Sequence, residues 1–418
     1  MTSQRGRTAA GNTAIRVVAV ADTDSYVKWA AALVADRRID GELVVLDTEV
    51  AVSDVQLRAA LTGSGLPPER ARRASFTDLP ARLARADVVV AAARGPVARV
   101  VAREASRRDP CPVIVSGLPG ISVPATWRAL HFRRRCDLMI VHSHREVREF
   151  RALAKERAID QRFALATLPF ARRIADADPA GRGGTDLVFA AQAIVPRARE
   201  DRRRVARILV ETAKATPDAR VVVKLRGRPG EHETHREEDG YVDLLTELGP
   251  LPANLVVSYE PMSRALDRAE GLVTVSSTAA IEAAARGIPV VALDTFGVDE
   301  TLINTVFRGS GLLGTADDVI ARRMRHPDPG WLGDNYFHDV EDDTWIPMLR
   351  DLVRCRTAGD LAPRAVSEPV GGALRDAWHR RLAIGSRDRT FSGAVAVAIG
   401  VPARYLMHAV RALLRLRA

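Results

Sequence analysis

Lysine is nearly missing from this chain. Only four occur, Lys28, Lys155, Lys214 and Lys224, among 62 basic residues, so the formal charge of +10 is carried by arginine. That charge is unevenly placed: Gly371 to Ala418 hold nine Arg against two Asp, and the remainder is close to balanced. A nucleic-acid binder needs its basic residues gathered where they meet the phosphates, so no nucleic-acid partner is expected. Arginine in so alanine-rich a sequence reads instead as the codon habit of a GC-rich genome. Cysteine is scarce too. Cys111, Cys136 and Cys355 are too widely spaced for a zinc knuckle and too few for a disulfide framework; reduced thiols are expected, with neither metal nor cofactor. No apolar stretch nears the roughly 20 residues of a membrane span, Ala394 to Val401 falling far short. The start, "MTSQRGRTAAGNTAIR", is basic but lacks an apolar segment after it, so no secretory signal is expected and the protein should stay in the cytoplasm.

Short apolar runs alternating with helical patterns are what is present, the sequence form of parallel α/β architecture. Strands are expected at Ile15 to Ala21, Glu42 to Leu46, Asp87 to Ala92, Pro112 to Val115, Asp137 to Val141 and Arg162 to Thr167. The segments Tyr26 to Asp36 and His144 to Ala154 fit crossover helices. The Gly, Asp and Pro of "DADPAGRGGTD" then mark a linker, after which the pattern restarts. Further strands are expected at Leu187 to Ala190, Arg220 to Leu225, Asn254 to Tyr259, Leu272 to Val275 and Pro289 to Leu293. The chain reads as an α/β protein with two Rossmann-like doubly wound domains in tandem: a flexible N-terminus over 1–13, a first domain over 14–178, a second over 184–356 and a basic helical tail over 357–418. In the tail, "VPARYLMHAVRALLRLRA" predicts an amphipathic helix with Pro402 in its first turn. Arg404, His408, Arg411 and Arg415 fall on one face, and Leu406, Val410, Leu413 and Leu414 on the other. Such a helix suits either an anionic membrane surface or packing on the protein itself.

In "VTVSSTAAIEAAARGIPVVAL", Ser276, Ser277 and Thr278 stand where a strand stops and an alanine-rich helix starts. Ligands of open parallel sheets bind beyond the strands' carboxyl ends, where helix N-termini present backbone N–H groups. Hydroxyls there suit a phosphate, and Glu282, one turn on, can reach a ribose hydroxyl. Plain helix capping is the alternative. A second basic element, "VVVKLRGRPGEHETHREE", ends a strand with Lys224 and Arg226, which suit a pyrophosphate or simply a solvated strand end.

"SSTAAIEAAARGIPVVAL" resembles the donor-site segment of GT-B glycosyltransferases, and "FAAQAIVPRAREDRRRVARIL" is similar to the first strand and helix of their C-terminal domain. "RVVAVADTDSYVKWAAAL" and "CDLMIVHSHREVREF" resemble the N-terminal half of glycosyltransferases of high-GC bacteria, related in outline to capsule and sialic-acid-type transferases. The resemblance runs from about residue 14 to 350. It implies a nucleotide-sugar donor and a glycan or lipid-linked acceptor of the cell envelope, with Ser276, Ser277 and Glu282 taking the phosphate and ribose roles and Lys224 and Arg226 the basic one. Related capsule transferases often show His-Pro after this strand; here Lys-Leu-Arg stands, with His232 and His235 later.

Glycosyl transfer with inversion needs a base near the cleft between domains. Asp24 is the first choice and Asp22 the second, both at the end of the first strand, although either can cap the helix that follows. His142 and His144 of "VHSH" are further candidates. "IVSGLPGISVPATW" is expected to line the acceptor side, and "FRGSGLLG" to turn the chain or cradle the donor. Rival readings remain. A non-hydrolysing sugar-nucleotide epimerase or a polyol-phosphate transferase shares the fold. A haloacid-dehalogenase-type phosphohydrolase would use Asp22 and Asp24 with Ser116, but its acidic pair, Asp334 and Asp339, follows no apolar strand. The metal-binding Asp-x-Asp of GT-A enzymes is misplaced on a first strand, and a non-enzymatic scaffold leaves the phosphate features idle.

Overall fold

The computed structural model describes residues 14–50, 52–171, 184–225, 239–364, 366 and 372–415, the side chains of 406–415 excepted. The expected terminal segment 1–13, most of the linker, Arg226, His232 and His235 lie outside the described residues.

Seven strands form the first sheet: β1 (Arg16–Ala21), β2 (Asp40–Leu46), β3 (Ala71–Ala74), β4 (Val88–Ala92), β5 (Val113–Gly117), β6 (Leu138–Val141) and β7 (Arg162–Leu165). All pair in parallel, in the order β3-β2-β1-β4-β5-β6-β7. The central strands are buried on both faces, as the unbroken burial of β4 and β5 shows. That is why their sequence is continuously apolar rather than alternating. A second sheet repeats the plan with β8 (Asp186–Ala190), β9 (Val221–Lys224), β10 (Leu255–Ser258), β11 (Ala269–Thr274), β12 (Val290–Leu293) and β13 (Leu313–Gly314), ordered β10-β9-β8-β11-β12-β13. Each sheet has a topological switch point, between β1 and β4 and between β8 and β11, where such sheets bind their ligands. The two-sheet α/β fold expected from the sequence is thus present.

Two edge strands were not legible. β3 reads Ala-Arg-Arg-Ala, with both arginines exposed, and β13 is two residues long; neither offers an apolar run to see. The tail needs a larger correction. Pro402 does not open a helix: it lies inside one running Phe391–Arg415. The preceding residues from Thr390 to Ala403 are apolar or small and uncharged, and they continue the helix backward. Trp378 of the helix Gly372–Ile384 packs against Gly400, where an added Cβ would meet its ring at 2.4 Å. The proline costs a backbone hydrogen bond, but at an exposed position where water can replace it.

The chain crosses back after the second sheet. Helix Trp345–Ala358 buries Trp345, Ile346, Leu349 and Leu352 in the core shared with the first sheet. Its Arg356 holds both oxygens of Asp137 at 3.0 Å, and Gly359 closes it with φ of 84°. The tail helix Gly372–Ile384 docks on the helix Gly95–Ser106 through Arg103–Asp376 and Arg99–His379 contacts.

Polar contacts join the two units. Glu146, fully buried on the helix His144–Glu156, accepts hydrogen bonds from the His142 backbone at 2.7 Å, the Ser122 backbone at 2.9 Å and the Tyr336 hydroxyl at 2.6 Å. Tyr336 belongs to the second unit, is itself fully buried, and has φ of 69°, a conformation few bulky residues adopt. Burial and the neighbouring Glu146 hold its phenol well above its ordinary pKa, so it stays a donor. Tyr336→Phe should lower the free energy of unfolding by about 1.5–3 kcal/mol, the worth of a buried hydrogen bond to a charged acceptor. Urea denaturation of the full chain checks this; an unchanged midpoint would show that the bond contributes nothing.

Candidate active site

On the second sheet, strand β11 ends at Thr274 and the short helix Ala279–Ala285 begins five residues later. The hydroxyls between them have structural partners. Ser276 donates from its backbone N–H (3.0 Å) and its Oγ (3.2 Å) to Oε1 of Gln192, which follows β8 across the switch point. Ser277 accepts from the Ala279 N–H at 3.2 Å, and its own N–H donates to Thr274 Oγ1 at 3.0 Å. Ser276 is thus tied across the switch point and Ser277 turns the chain toward the helix, whose cap position is Thr278 with no side-chain bond. Ser276 is buried, whereas Ser277 and Thr278 are half-buried, Thr278 beside the first unit. A Cβ placed on Gly120, in the loop after β5, would stand 2.8 Å from Thr278 Cγ2. A larger residue at Gly120 would push Thr278 or the loop aside.

Glu282 also points toward the first unit. Its Oε2 lies 3.7 Å from Lys28 Nζ and its Oε1 3.3 Å from Arg286. Lys28 sits on the helix Asp24–Val34 with its ammonium 5.1 Å above the Phe170 ring. Neither Lys28 nor Gln192 was singled out in the sequence. Lys28 carried one signal, being one of four lysines. Lys224 ends β9, is buried, and donates to the Leu225 carbonyl.

The acid–base candidates separate sharply. Asp22 has no exposure: Arg94, just past β4, donates to it from its backbone N–H at 3.0 Å and its Nε at 2.7 Å. Burial raises the Asp22 pKa, and Arg94 opposes that rise. So held, Asp22 joins β1 to β4 and cannot reach a substrate, which removes the phosphohydrolase nucleophile as well. Asp24 is the first residue of its helix and half-buried, with the Ser25 hydroxyl 3.5 Å away. Neither aspartate caps that helix; Thr23 holds the cap position. His142 is fully buried, receiving the Trp29 indole N–H on Nε2 at 2.7 Å and lying 2.7 Å from the Ala166 carbonyl through Nδ1. Burial lowers its pKa, which keeps it neutral and structural. His144 is different: 41% of its side chain is exposed, and its Nε2 lies 3.3 Å from Asp342 of the second unit.

The sequence profile of the family described as "Putative glycosyltransferase (DUF6716)" matches residues 17–352, both sheets and the seam between them. The chain belongs to that family. No curated protein sequence matches it. Among solved structures it is similar to the S. aureus MnaA–UDP co-structure, with 11% identity and a TM-score of 0.53, over 85% of this chain and 100% of that one. It is likewise similar to Methanocaldococcus jannaschii UDP-GlcNAc 2-epimerase in complex with UDP-GlcNAc and UDP, with 11% identity and a TM-score of 0.52, over 82% of this chain and 100% of that one. At such identity these likenesses show the fold alone. Family and fold together make the chain a glycosyltransferase of the GT-B type, as its resemblance implied.

The Asp22–Arg94 pair gives a pH test. Arg94→Met leaves a buried carboxylate unpaired and should cost about 3 kcal/mol at pH 7, the low end for a pair whose cation is partly solvated. With Arg94 gone, the folded pKa of Asp22 rises further above its unfolded value. The native state then binds more protons than the unfolded one, so the deficit shrinks as pH falls. Urea unfolding at pH 7 and pH 5 should show the variant's deficit diminishing in acid; a constant deficit would mean that lost packing, not charge, is responsible.

Proposed function

We propose that this protein transfers a sugar from a nucleotide-sugar donor, held by the second unit, to a cell-envelope polysaccharide or lipid-linked acceptor held against the first. The observation that carries this is the meeting of Thr278, next to Ser277, with the Gly120 loop at the seam, within a family described as putative glycosyltransferases. Two structures of similar fold hold UDP, one of them also UDP-GlcNAc, which supports a nucleotide donor here. In this reading Ser276, Ser277 and Thr278 bind the donor phosphates, with Lys224 and Arg226 adding positive charge and Glu282 taking the ribose once released from Lys28. In an inverting transfer, Asp24 or His144 takes the acceptor hydroxyl proton while that oxygen bonds the anomeric carbon. The C–O bond to phosphate breaks, and the leaving phosphate keeps the electron pair. Basic side chains and hydroxyls stabilise that charge, so added metal is dispensable.

A second reading, a non-hydrolysing sugar-nucleotide epimerase, is favoured by one observation: a UDP-GlcNAc 2-epimerase is among the similar structures. It would convert a nucleotide sugar with no acceptor present. Calorimetry with CMP, CDP, UDP, GDP and ADP, without metal, tests the donor site. One nucleotide should bind, and the Ser276→Ala, Ser277→Ala double variant should bind it at least about tenfold more weakly, the worth of one charge-assisted hydrogen bond. Equal binding by a variant of unchanged melting temperature would leave the serines with a structural role only.

The tail supports an acceptor at the inner face of the plasma membrane. No helix among the described residues is long and apolar enough to cross a membrane. Yet the helix Phe391–Arg415 exposes Phe391 (85%), Ile399 (51%) and Tyr405 (74%) along a stretch flanked by Arg387, Arg389 and Arg404. An apolar stripe bordered by arginine fits an anionic bilayer surface. A second copy would bring arginine against arginine. Vesicles containing phosphatidylglycerol should co-float the protein, neutral phosphatidylcholine vesicles much less, and a Phe391→Ser, Ile399→Ser, Tyr405→Ser variant should stay behind. Flotation unchanged in that variant would refute this part of the reading.

A further inference from the structure

Beside the helix Pro329–Asp334, a cavity of about 270 Å³ opens at the seam. His144 lines it from the first unit, and Leu332, Phe337, His338, Asp339 and Asp342 line it from the second. The two imidazoles meet edge to face, their centroids 5.5 Å apart. Each is held through Nε2 by a carboxylate: His144 by Asp342 at 3.3 Å, His338 by Asp343 at 3.0 Å. Asp343 is itself fixed by the Thr167 N–H and hydroxyl just past β7. In the tautomer whose Nε2 proton goes to the carboxylate, the Nδ1 of each ring is a lone-pair acceptor. The His338 side chain is wholly buried, and its Nδ1 has no hydrogen-bond partner.

The polar side chains that open on the cavity are the His144 imidazole and the carboxylates of Asp339 and Asp342, a lining made of acceptors, with the buried His338 ring packed behind His144. The remainder, Leu332 and Phe337, is apolar. A ligand that satisfies both must offer hydroxyl donors along one edge and C–H groups on a face. A carboxylated or phosphorylated ligand would meet like charge instead. The volume lies just below the roughly 300 Å³ at which small-molecule pockets begin, room for one ring rather than a chain. We propose that this cavity binds an uncharged, hydroxyl-bearing sugar unit of the acceptor. The word acceptor rests on the glycosyltransferase reading above; the ligand class does not.

The test uses saturation-transfer NMR on the full chain with methyl glucoside, methyl galactoside, methyl mannoside and glucuronate, beside nucleotide calorimetry on the same samples. At least one neutral glycoside should receive saturation and glucuronate should not. His144→Ala and Asp342→Ala, both at exposed side chains, should each weaken glycoside binding about fivefold or more, the loss of one hydrogen bond, with nucleotide affinity and melting temperature unchanged. Glucuronate binding as well as the neutral sugars, or variants that bind them normally, would overturn the proposal. Nucleotide binding with no glycoside binding would remove the cavity site and leave the transferase reading standing. Glycoside binding that the variants lose, in a protein that takes no nucleotide, would do the reverse.

Discussion

The arrangement of the seam depends on one buried carboxylate. Glu146 gathers the turn after β6, the loop after β5 and Tyr336 of the second unit onto two oxygen atoms. A carboxylate without exposure is tolerable only when its lone pairs are filled, and here three donors from three segments fill them. Two of the donors, the His142 N–H and the Tyr336 hydroxyl, come from fully buried residues, so water cannot readily replace either, and removing one leaves a lone pair unfilled. The geometry of His144, two residues before Glu146 on the same helix, and of the Gly120 loop, two residues before Ser122, follows from this arrangement. Positions that face the second unit are thus set by a group that touches no substrate.

Elsewhere the units meet through charge rather than apolar packing alone. Lys28–Glu282, Arg148–Asp334 and His144–Asp342 all cross the seam, and all include a solvent-exposed side chain. Exposed pairs contribute little to stability, typically under about 1 kcal/mol each, so they can orient the units without locking them. The Glu146 cluster and the crossover helix Trp345–Ala358 are the firm joints; the ion pairs are the ones that a donor entering the seam can exchange. Lys28 illustrates this, since it occupies the carboxylate that the resemblance assigns to ribose.

The fold was legible because parallel strands buried on both faces must be apolar throughout, and eleven of the thirteen strands among the described residues showed as apolar runs, the edge strand β10 included. What hid was whatever lacks that signature: the arginine-bearing β3, the two-residue β13, and a helix that runs through Pro402, with Trp378 packed on Gly400 two residues before it. Of the candidate site, strand-end polar residues were visible, since a hydroxyl or carboxylate closing an apolar run stands out. Their partners were not. Arg94 and Asp342 reach their sites from 72 and 198 residues away in sequence, and no local pattern joins such residues. His338 and Asp343 were hidden for the same reason, in a segment with no strand to mark it.

Three doublets share a rule that explains which visible residues stay available. In Asp22/Asp24, His142/His144 and Ser276/Ser277, the member nearer the strand is buried and bonded sideways: to Arg94, to Trp29, to Gln192. The member further on is half-buried or exposed at the start of the next helix. The cause is geometric. A residue leaving a central strand still lies between neighbouring strands and must spend its polar group on them, whereas the first residues of the helix have turned out over the sheet's edge. A polar residue at a strand end is therefore spent on the sheet, and the residue one or two positions later is the one left to face a ligand. By that rule, and on the transfer proposed above, Asp24, His144 and Ser277 would meet the substrates directly, Asp22 and His142 belong to the frame, and Ser276 would reach a phosphate only by exchanging its bonds to Gln192.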